Sequence, residues 1–241
     1  MRNIALILGG GSGSRMNQEI PKQFLTINDC PIIIYTLAAF QNHPEIDEIA
    51  VVCIDGWESV LKAYAKQYGI TKLKYVFNGG NTVQESIRNG VFELGTQGGC
   101  TDDDIVIIHD GIRPIVDIDV LSSVIATCKK YGNGVTSLPY NEQIFRKKDE
   151  LSTTEYIVRD TLRRVQTPQA YKFGKLLWAY TEAFEKGIGI HGSSYTNTMM
   201  VDLGETLYFA AGSEKNIKLT TITDVEIFQS LLAVQKPKWL K

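Results

Sequence analysis

The residue types best suited to chemistry lie near the start of the chain, where a run of glycines is followed by two cations. Arg15 comes two residues after the last of these glycines, and Lys22 follows Pro21. Glycine lets the backbone turn sharply and bring its N–H groups close to an anion. Pro21 fixes its own φ and restricts the residue before it, which stiffens the loop that carries Lys22. The candidate nucleotide-binding residues of this loop are Leu8, Gly9, Gly10, Gly11 and Gly13.

This stretch predicts a site for a nucleoside triphosphate, although an ordinary glycine-rich turn between a strand and a helix would also contain the glycines. Two common phosphate loops are excluded by residue type. The Walker pattern needs Gly-Lys-Ser/Thr at the end of the glycine run, which is absent. The dinucleotide-binding pattern needs a third glycine where this chain has Met16. A dehydrogenase is therefore a weak hypothesis.

Composition limits the classes of partner. The net charge of −2 provides no basic surface for nucleic acid or an anionic membrane, and the apolar runs are too short to span a bilayer. We therefore expect neither nucleic acid nor membrane as a partner. The four cysteines and three histidines are scattered. This argues against a zinc site or a disulfide framework and favours a reducing cytoplasm.

Apolar runs alternate with amphipathic segments along most of the 241 residues. This rhythm predicts one α/β domain over residues 1–241, with a Rossmann-like, mostly parallel sheet and helices on both faces. We predict strands at 4–8, 48–54, 74–77, 105–109, 134–138, 166–171, 206–210 and 217–219, and helices at 31–40, 57–68, 82–94, 118–131, 173–186 and 221–234. Thr82 and Glu85 have the spacing of a helix cap.

Three turns follow predicted strands and should meet at one edge of the sheet, where ligands of parallel sheets bind. They are residues 9–15, 79–86 and 110–114. Asp110 follows the most apolar strand, so it could present an oxygen to a ribose or to Mg²⁺, or could cap a turn. Arg113 could hold Asp110 or a substrate. We interpret His109 as a structural hydrogen-bonding residue.

Residues 140–163 depart from the alternating pattern. A polar turn at 147–150 is flanked by two short β-like runs, which predicts a projecting hairpin arm, although a solvated loop is the simpler alternative. Because the arm carries Phe145, Tyr156 and Ile157, we expect it to pack on a second copy of the chain and to form a homodimer.

Several motifs occur in an order that carries a family likeness: Gly-x-Gly-Ser-Arg-Met, Pro-Lys-Gln-Phe, His-Asp-x-x-Arg-Pro ending at residue 114, Gln-Thr-Pro-Gln from residue 166 and Asn-Ile-Lys-Leu-Thr from residue 216. Together they resemble the family of 2-C-methyl-D-erythritol 4-phosphate and ribitol-5-phosphate cytidylyltransferases. The resemblance spans nearly the whole chain. It implies CTP and Mg²⁺ as reactants, release of pyrophosphate and a dimer linked through the arm.

The resemblance also implies roles for individual residues. Arg15, Lys22 and Lys218 would neutralise the phosphates, although spacing alone would describe Lys218 as an exposed strand lysine. A second group would read cytosine: Gly79, Gly80, Asn81 and Ser86. Arg159 and Thr167 would hold the polyol phosphate, with Arg159 acting across the dimer, although it could also be an ordinary surface arginine. Arg113 and Thr196 are further candidate substrate-binding residues.

The chain departs from the family pattern where base or acceptor should bind. Val83 replaces an arginine, for which Gln84 could substitute, and Thr196-Asn197 lacks a carboxylate. The arm segment 139–143 lacks the usual Asp-Thr. These changes favour CMP transfer to a ribitol-5-phosphate-like polyol phosphate for surface-polymer synthesis. Methylerythritol phosphate, another nucleotide base and a non-catalytic nucleotide-binding protein are the alternatives.

Overall fold

The computed structural model describes residues 1–11, 20–192 and 194–234. The strands are β1 (Asn3–Gly9), β2 (Thr26–Ile27), β3 (Cys30–Pro31), β4 (Glu48–Cys53), β5 (Leu73–Asn78), β6 (Ile105–Asp110), β7 (Asn133–Pro139), β8 (Ile144–Lys147), β9 (Thr153–Ile157), β10 (Arg163–Lys172) and β11 (Phe209–Ala211). The helices are α1 (Ile32–Asn42), α2 (Glu58–Gln67), α3 (Val83–Thr96), α4 (Ile118–Tyr131), α5 (Phe173–Lys186), α6 (Thr196–Asp202) and α7 (Ile222–Ala233).

Seven strands from both halves of the chain form one sheet in the order β11-β7-β10-β6-β1-β4-β5. The interior strand β1 runs parallel to both neighbours, with Ile4 opposite Glu48 on β4 and Val106 on β6. Strand β10 is antiparallel to β6 and β7 because the chain returns through it from the arm. The predicted mostly parallel α/β sheet is confirmed.

Helices cover both faces of the sheet, as the sequence predicted. Alternate residues of β1 point to opposite faces. Ala5 and Ile7 pack with side chains of α1, α2 and α4. Ile4 and Leu6 pack with side chains of α3, α5 and α6. Within the described ranges, no helix has both the length and the apolar content needed to cross a membrane.

The segment around Lys218 differs from the prediction. Residues 217–219 form no strand and join no sheet. Instead, the Leu219 N–H donates to the Ile112 carbonyl at 2.9 Å. Leu219 is buried in a small cluster with Ile112 and Phe228 of α7. The apolar side chains that suggested a strand therefore fix this segment to the turn after β6. The predicted strand at 206–210 is shorter and later, and helix α6 was not predicted.

The predicted arm is a two-stranded antiparallel hairpin between β7 and β10. Ile144 on β8 lies opposite Ile157 on β9, and Phe145 lies opposite Tyr156. Phe145 is 57 % exposed and Tyr156 is 65 % exposed. The hairpin therefore projects two large apolar side chains into solvent.

Candidate active site

The three predicted turns line one cleft with Lys218, at the carboxyl ends of the parallel strands. The cleft encloses about 440 Å³, which falls in the range of small-molecule sites. It receives residues from both ends of the chain. The predicted site residues that line it are Leu8, Gly10, Gly11, Lys22, Gly80, Asn81, Ser86, Asp110 and Lys218.

The backbone at the cleft is held by the first turn of α3. The Ser86 hydroxyl accepts the Gly80 N–H at 2.9 Å, and a Glu85 carboxylate oxygen accepts the Asn81 N–H at 2.7 Å. A Cβ on Gly80 would lie 2.4 Å from the Cβ of Glu85, so position 80 requires glycine. Thr82 caps α3 by accepting the Glu85 N–H, which confirms the predicted cap. Ser86 thus supports the loop.

Lys22 is presented by a braced turn. It opens a 3₁₀ turn, Lys22–Phe24, after Pro21. The Gln23 side-chain amide donates to the Gly9 carbonyl at 2.6 Å, which ties the turn to the glycine loop. The Phe24 ring stacks on Trp57 with a centroid separation of 4.7 Å. The predictions for Arg15 and Gly13 concern residues 12–19, which lie outside the described part of the chain.

Asp110 lies between two cations at the floor of the cleft. One carboxylate oxygen is 2.9 Å from Arg113 Nε, and the other is 3.1 Å from Lys218 Nζ. Burial would raise the pKa of the Asp110 carboxyl, but the charges of Lys218 and Arg113 outweigh burial and lower the pKa to about 2. Asp110 is therefore ionised, and the three side chains carry a net charge of about +1. Such a cluster suits an anion.

Asn216 connects the Lys218 segment to the rest of the floor. Its side chain is fully buried and its amide donates to the Thr167 carbonyl at 2.6 Å. Arg113 Nη1 donates to the Asn216 carbonyl at 2.8 Å. The Thr167 hydroxyl accepts the Asp110 N–H at 3.2 Å. Arg113 and Thr167, both predicted to bind substrate, do not line the cleft themselves but hold Asp110 in place.

His109 has the structural role that we predicted. Its ring is completely buried, and Nε2 lies 3.1 Å from the Arg113 carbonyl, which can only accept a hydrogen bond. Burial lowers the pKa of His109 to about 4. Within the described ranges, Nδ1 has no hydrogen-bond partner. The imidazole is therefore neutral and supports the turn that carries Arg113.

Thr196 and Gln84 are placed differently from the prediction. The Tyr180 hydroxyl donates to Gln84 Oε1 at 3.0 Å and lies 2.8 Å from the Thr196 hydroxyl. The Gln84 amide donates to the Gly189 carbonyl at 2.7 Å. Both Gln84 and Thr196 are almost fully buried. Their polar atoms are engaged in a network that joins α3, α5 and α6. Neither side chain lines the cleft, and Gln84 lines a neighbouring side pocket.

Arg159 lies in the arm and does not line the cleft of its own chain. It begins a short 3₁₀ turn, Arg159–Thr161, and donates to the Asn141 carbonyl at 2.8 Å. Its side chain is about half exposed. A contact between Arg159 and substrate would have to involve a second copy of the chain.

Six lining residues were not among the predicted site residues: Gln23, Thr82, Val83, Ile112, Tyr195 and Thr220. All of them except Tyr195 lie inside motifs or turns that the sequence analysis used, so their position along the chain was a usable signal. Tyr195 gave no signal, because the helix α6 that it precedes was not predicted.

The fit of Mg²⁺ depends on Asp110. Within the described residues, no group of three acidic, histidine or cysteine side chains gathers as a metal site. Asp110 supplies one carboxylate, whose oxygens already contact two cations. Protein-bound Mg²⁺ commonly takes one or two carboxylates together with substrate phosphates. Asp110 therefore fits an ion that is held mainly by a nucleotide.

Comparison with known proteins agrees with this geometry. Residues 3–233 match the family model described as IspD, 2-C-methyl-D-erythritol 4-phosphate cytidylyltransferase. A ribitol-5-phosphate cytidylyltransferase of Lacticaseibacillus paracasei is 58 % identical over 95 % of this chain and 97 % of its own length. A 2-C-methyl-D-erythritol 4-phosphate cytidylyltransferase of Clostridium tetani is 35 % identical over 93 % of this chain and 87 % of its own.

Solved structures show the same fold. The 4-diphosphocytidyl-2C-methyl-D-erythritol synthase of Anaerococcus prevotii superposes with a TM-score of 0.81 at 21 % identity, covering 97 % of this chain and 96 % of its own. The architecture is thus shared at low identity, while the family match and the two relatives cover almost the whole sequence. The chain therefore belongs to the 2-C-methyl-D-erythritol 4-phosphate cytidylyltransferase (IspD) family of nucleotidyltransferases.

Proposed function

We propose that this cytidylyltransferase transfers CMP from CTP to ribitol 5-phosphate, or to a closely related open-chain polyol phosphate, with release of pyrophosphate. The observation that carries the proposal is that Lys22 and Lys218, from opposite ends of the chain, line one cleft with a glycine-rich backbone. The ribitol phosphate preference follows the L. paracasei relative, which is 58 % identical. A product of this kind would serve as a precursor for surface polymers.

The reaction joins two anions, so charge neutralisation and alignment dominate catalysis. A phosphate oxygen of the acceptor attacks the α-phosphorus of CTP and forms a new P–O bond. The bond from the α-phosphorus to the bridging oxygen breaks, and its electron pair leaves with pyrophosphate. We assign Lys22 and Arg15 to the triphosphate and its leaving group, and Lys218 to the acceptor phosphate and the α-phosphate.

In this scheme Asp110 orients the side chain of Lys218. The Asp110 carboxylate, 3.1 Å from Lys218 Nζ, holds the ammonium group in position. A bound Mg²⁺ would be held by Asp110 and by the nucleotide phosphates, and would neutralise part of the phosphate charge. The backbone at Gly10, Gly11 and Gly80 would accommodate the nucleotide at close range.

We also propose that the arm pairs two copies of the chain, so that Arg159 reaches the partner's cleft. A two-stranded hairpin is marginally stable alone, and this one exposes Phe145 and Tyr156. Sedimentation of the purified protein should show a dimer, and F145S/Y156S should shift it to a monomer. A wild-type monomer at micromolar concentration would refute the pairing.

The four unpaired cysteines suit a reducing cytoplasm.

The test of the reaction is a pyrophosphate-release assay with CTP, UTP, ATP and GTP against ribitol 5-phosphate and 2-C-methyl-D-erythritol 4-phosphate. We expect the highest kcat/KM with CTP and ribitol 5-phosphate. A higher value with methylerythritol phosphate would favour the second candidate, which the family match and the C. tetani relative support. Higher turnover with another base would reject CTP. CTP binding without turnover on either acceptor would reject both reactions.

A further inference from the structure

Tyr195 occupies a place in the cleft that the assigned chemistry does not use. Its side chain is 47 % exposed and lines the cleft. The ring centroid lies 5.9 Å from Lys218 Nζ, within the reach of a cation–π contact. Lys218 Nζ therefore has the Asp110 carboxylate and the Tyr195 ring as neighbours, and the ring lies on the side of the cleft assigned to the acceptor phosphate.

The Tyr195 hydroxyl is available to a ligand. In the part of the chain that the structure describes, it donates to no protein group and accepts from none, whereas the Tyr195 backbone N–H is bonded to the Thr198 hydroxyl at 2.9 Å. The backbone is thus fixed while the phenol remains open. A phenolic ring with a free hydroxyl can contact C–H groups with its face and hydrogen-bond with its edge.

The surface beside Tyr195 is neutral. A side pocket of about 190 Å³ extends from the cleft between the start of α3 and residues 190–192 and 194–195, and Val83 and Tyr195 line both spaces. Among the described residues that line the side pocket there is no Lys, Arg, Asp or Glu. A neutral pocket next to a cationic floor suits a ligand with a charged phosphate and an uncharged, hydroxyl-rich body.

Buried hydrogen bonds fix the position of this surface. Gln84 follows Val83, Thr196 follows Tyr195, and the Tyr180 hydroxyl contacts both Gln84 and Thr196. Because the neighbours of Val83 and Tyr195 are joined through one buried phenol, the distance across the pocket is set by the core. A preformed wall of this kind can select a ligand by shape.

We propose that Tyr195 is a specificity-determining residue that contacts the hydroxyl-bearing carbon chain of the acceptor while Lys218 holds the acceptor phosphate. This inference rests on the proposed function, since it takes a polyol phosphate as the acceptor. The ring face packs against the C–H groups of the chain, and the phenolic hydroxyl hydrogen-bonds to one of its hydroxyls. CTP, held at the glycine loop and Lys22, does not contact Tyr195.

The test measures KM for CTP and KM for ribitol 5-phosphate separately in three variants of the full-length protein. Tyr195→Phe removes one neutral hydrogen bond, so KM for the acceptor should rise about fivefold. Tyr195→Ala also removes the ring, and KM for the acceptor should rise roughly 30-fold, in line with the loss of a packed aromatic contact. KM for CTP should stay within about twofold of the wild-type value in both variants, because the variants remove contacts to the acceptor and none to CTP.

The control is Tyr131→Phe, at the end of α4, where the Tyr131 ring stacks on Tyr208 with centroids 4.4 Å apart. It should leave both KM values unchanged. An unchanged acceptor KM in Tyr195→Phe and Tyr195→Ala would overturn the inference, and so would a rise in KM for CTP, which would place the ring against the nucleotide. No turnover of ribitol 5-phosphate by the wild-type protein would instead overturn the proposed function.

Discussion

The floor and the rim of the cleft are built in different ways. The floor consists of Asp110, Arg113, Asn216 and Lys218, whose side chains are joined by ion pairs and buried hydrogen bonds. The rim consists of Val83 and Tyr195, which are neutral and about half exposed. A change on the floor disturbs several partners at once, whereas a change on the rim disturbs few. In the proposed reaction the floor would carry out the transfer, and the rim would be where the preference for an acceptor or a nucleotide can vary.

The largest effect should follow from removing the floor's cation. Lys218→Ala should lower kcat/KM by about 10²–10³-fold, the loss typical of one group that stabilises transition-state charge. It also leaves Asp110 with a single cationic partner. Steady-state pyrophosphate release measures the change, with Lys215→Ala, an exposed lysine three residues earlier, as the control. A loss smaller than threefold in Lys218→Ala would remove Lys218 from the mechanism.

His109, which supports the turn that carries Arg113, should also set the acid limit of stability. Burial lowers the pKa of His109 from 6.5 to about 4. Between these values the unfolded chain binds a proton that the folded chain does not, so stability falls as the pH falls. The fall corresponds to about 3 kcal/mol over this interval. Asp110 acts in a lower window, because its stabilising charge is lost only as the pH falls from 3.8 towards about 2.

Urea unfolding between pH 7 and pH 4 measures this slope. His109→Gln should flatten most of it, and His43, whose pKa burial also lowers, should account for what remains. An NMR titration of the wild-type protein checks the same point without a variant. A His109 resonance that titrates near pH 6.5 in the folded protein would contradict the prediction.

Removing the amide of Asn216 should have a smaller effect that appears in both stability and rate. Asn216→Ala leaves the partly buried Thr167 carbonyl without its donor, which should cost about 2 kcal/mol of unfolding free energy. Because Lys218 lies two residues away, kcat should fall as well, while KM for CTP changes little. Asn42→Ala, at the exposed end of α1, is the matched control. Unchanged stability in Asn216→Ala would show that this hydrogen bond does not hold the segment.

The sequence predicted the floor better than the rim for a physical reason. Phosphate chemistry demands cations and glycines. Residue type and the order of the motifs along the chain were therefore enough to identify Lys22, Gly80, Asp110 and Lys218. The sheet was equally predictable, because buried parallel strands need continuous apolar runs. The segment 217–219 resembled a strand since its apolar residues are buried, yet they are buried against Ile112 and Phe228 outside the sheet.

Residues on the rim and next to it could not be assigned from residue type and motif order. Thr196 and Gln84 have the polarity of ligand-binding residues, and only the fold shows that Tyr180 engages both. Position 195 requires no particular residue type, because many kinds of side chain can contact an uncharged carbon chain. Sequence order therefore identifies groups that the chemistry requires, whereas a surface that selects a particular acceptor depends on three-dimensional packing.

The smallest effect should come from adding charge to the rim. Val83→Arg places a cation at the mouth of the cleft, where a half-exposed ion pair contributes about 0.2–1 kcal/mol. KM for CTP should therefore fall about two- to threefold at low salt, and the gain should shrink as ionic strength rises, because exposed charges are screened. Steady-state kinetics at two salt concentrations measures the change. Val234→Arg, at the far end of α7, should leave KM for CTP unchanged. If Val83→Arg raised KM for CTP, the new side chain would be obstructing the nucleotide instead of attracting it. Position 83 would then act through its shape, as part of the wall that excludes other bases, and not through the electrostatic field of the floor.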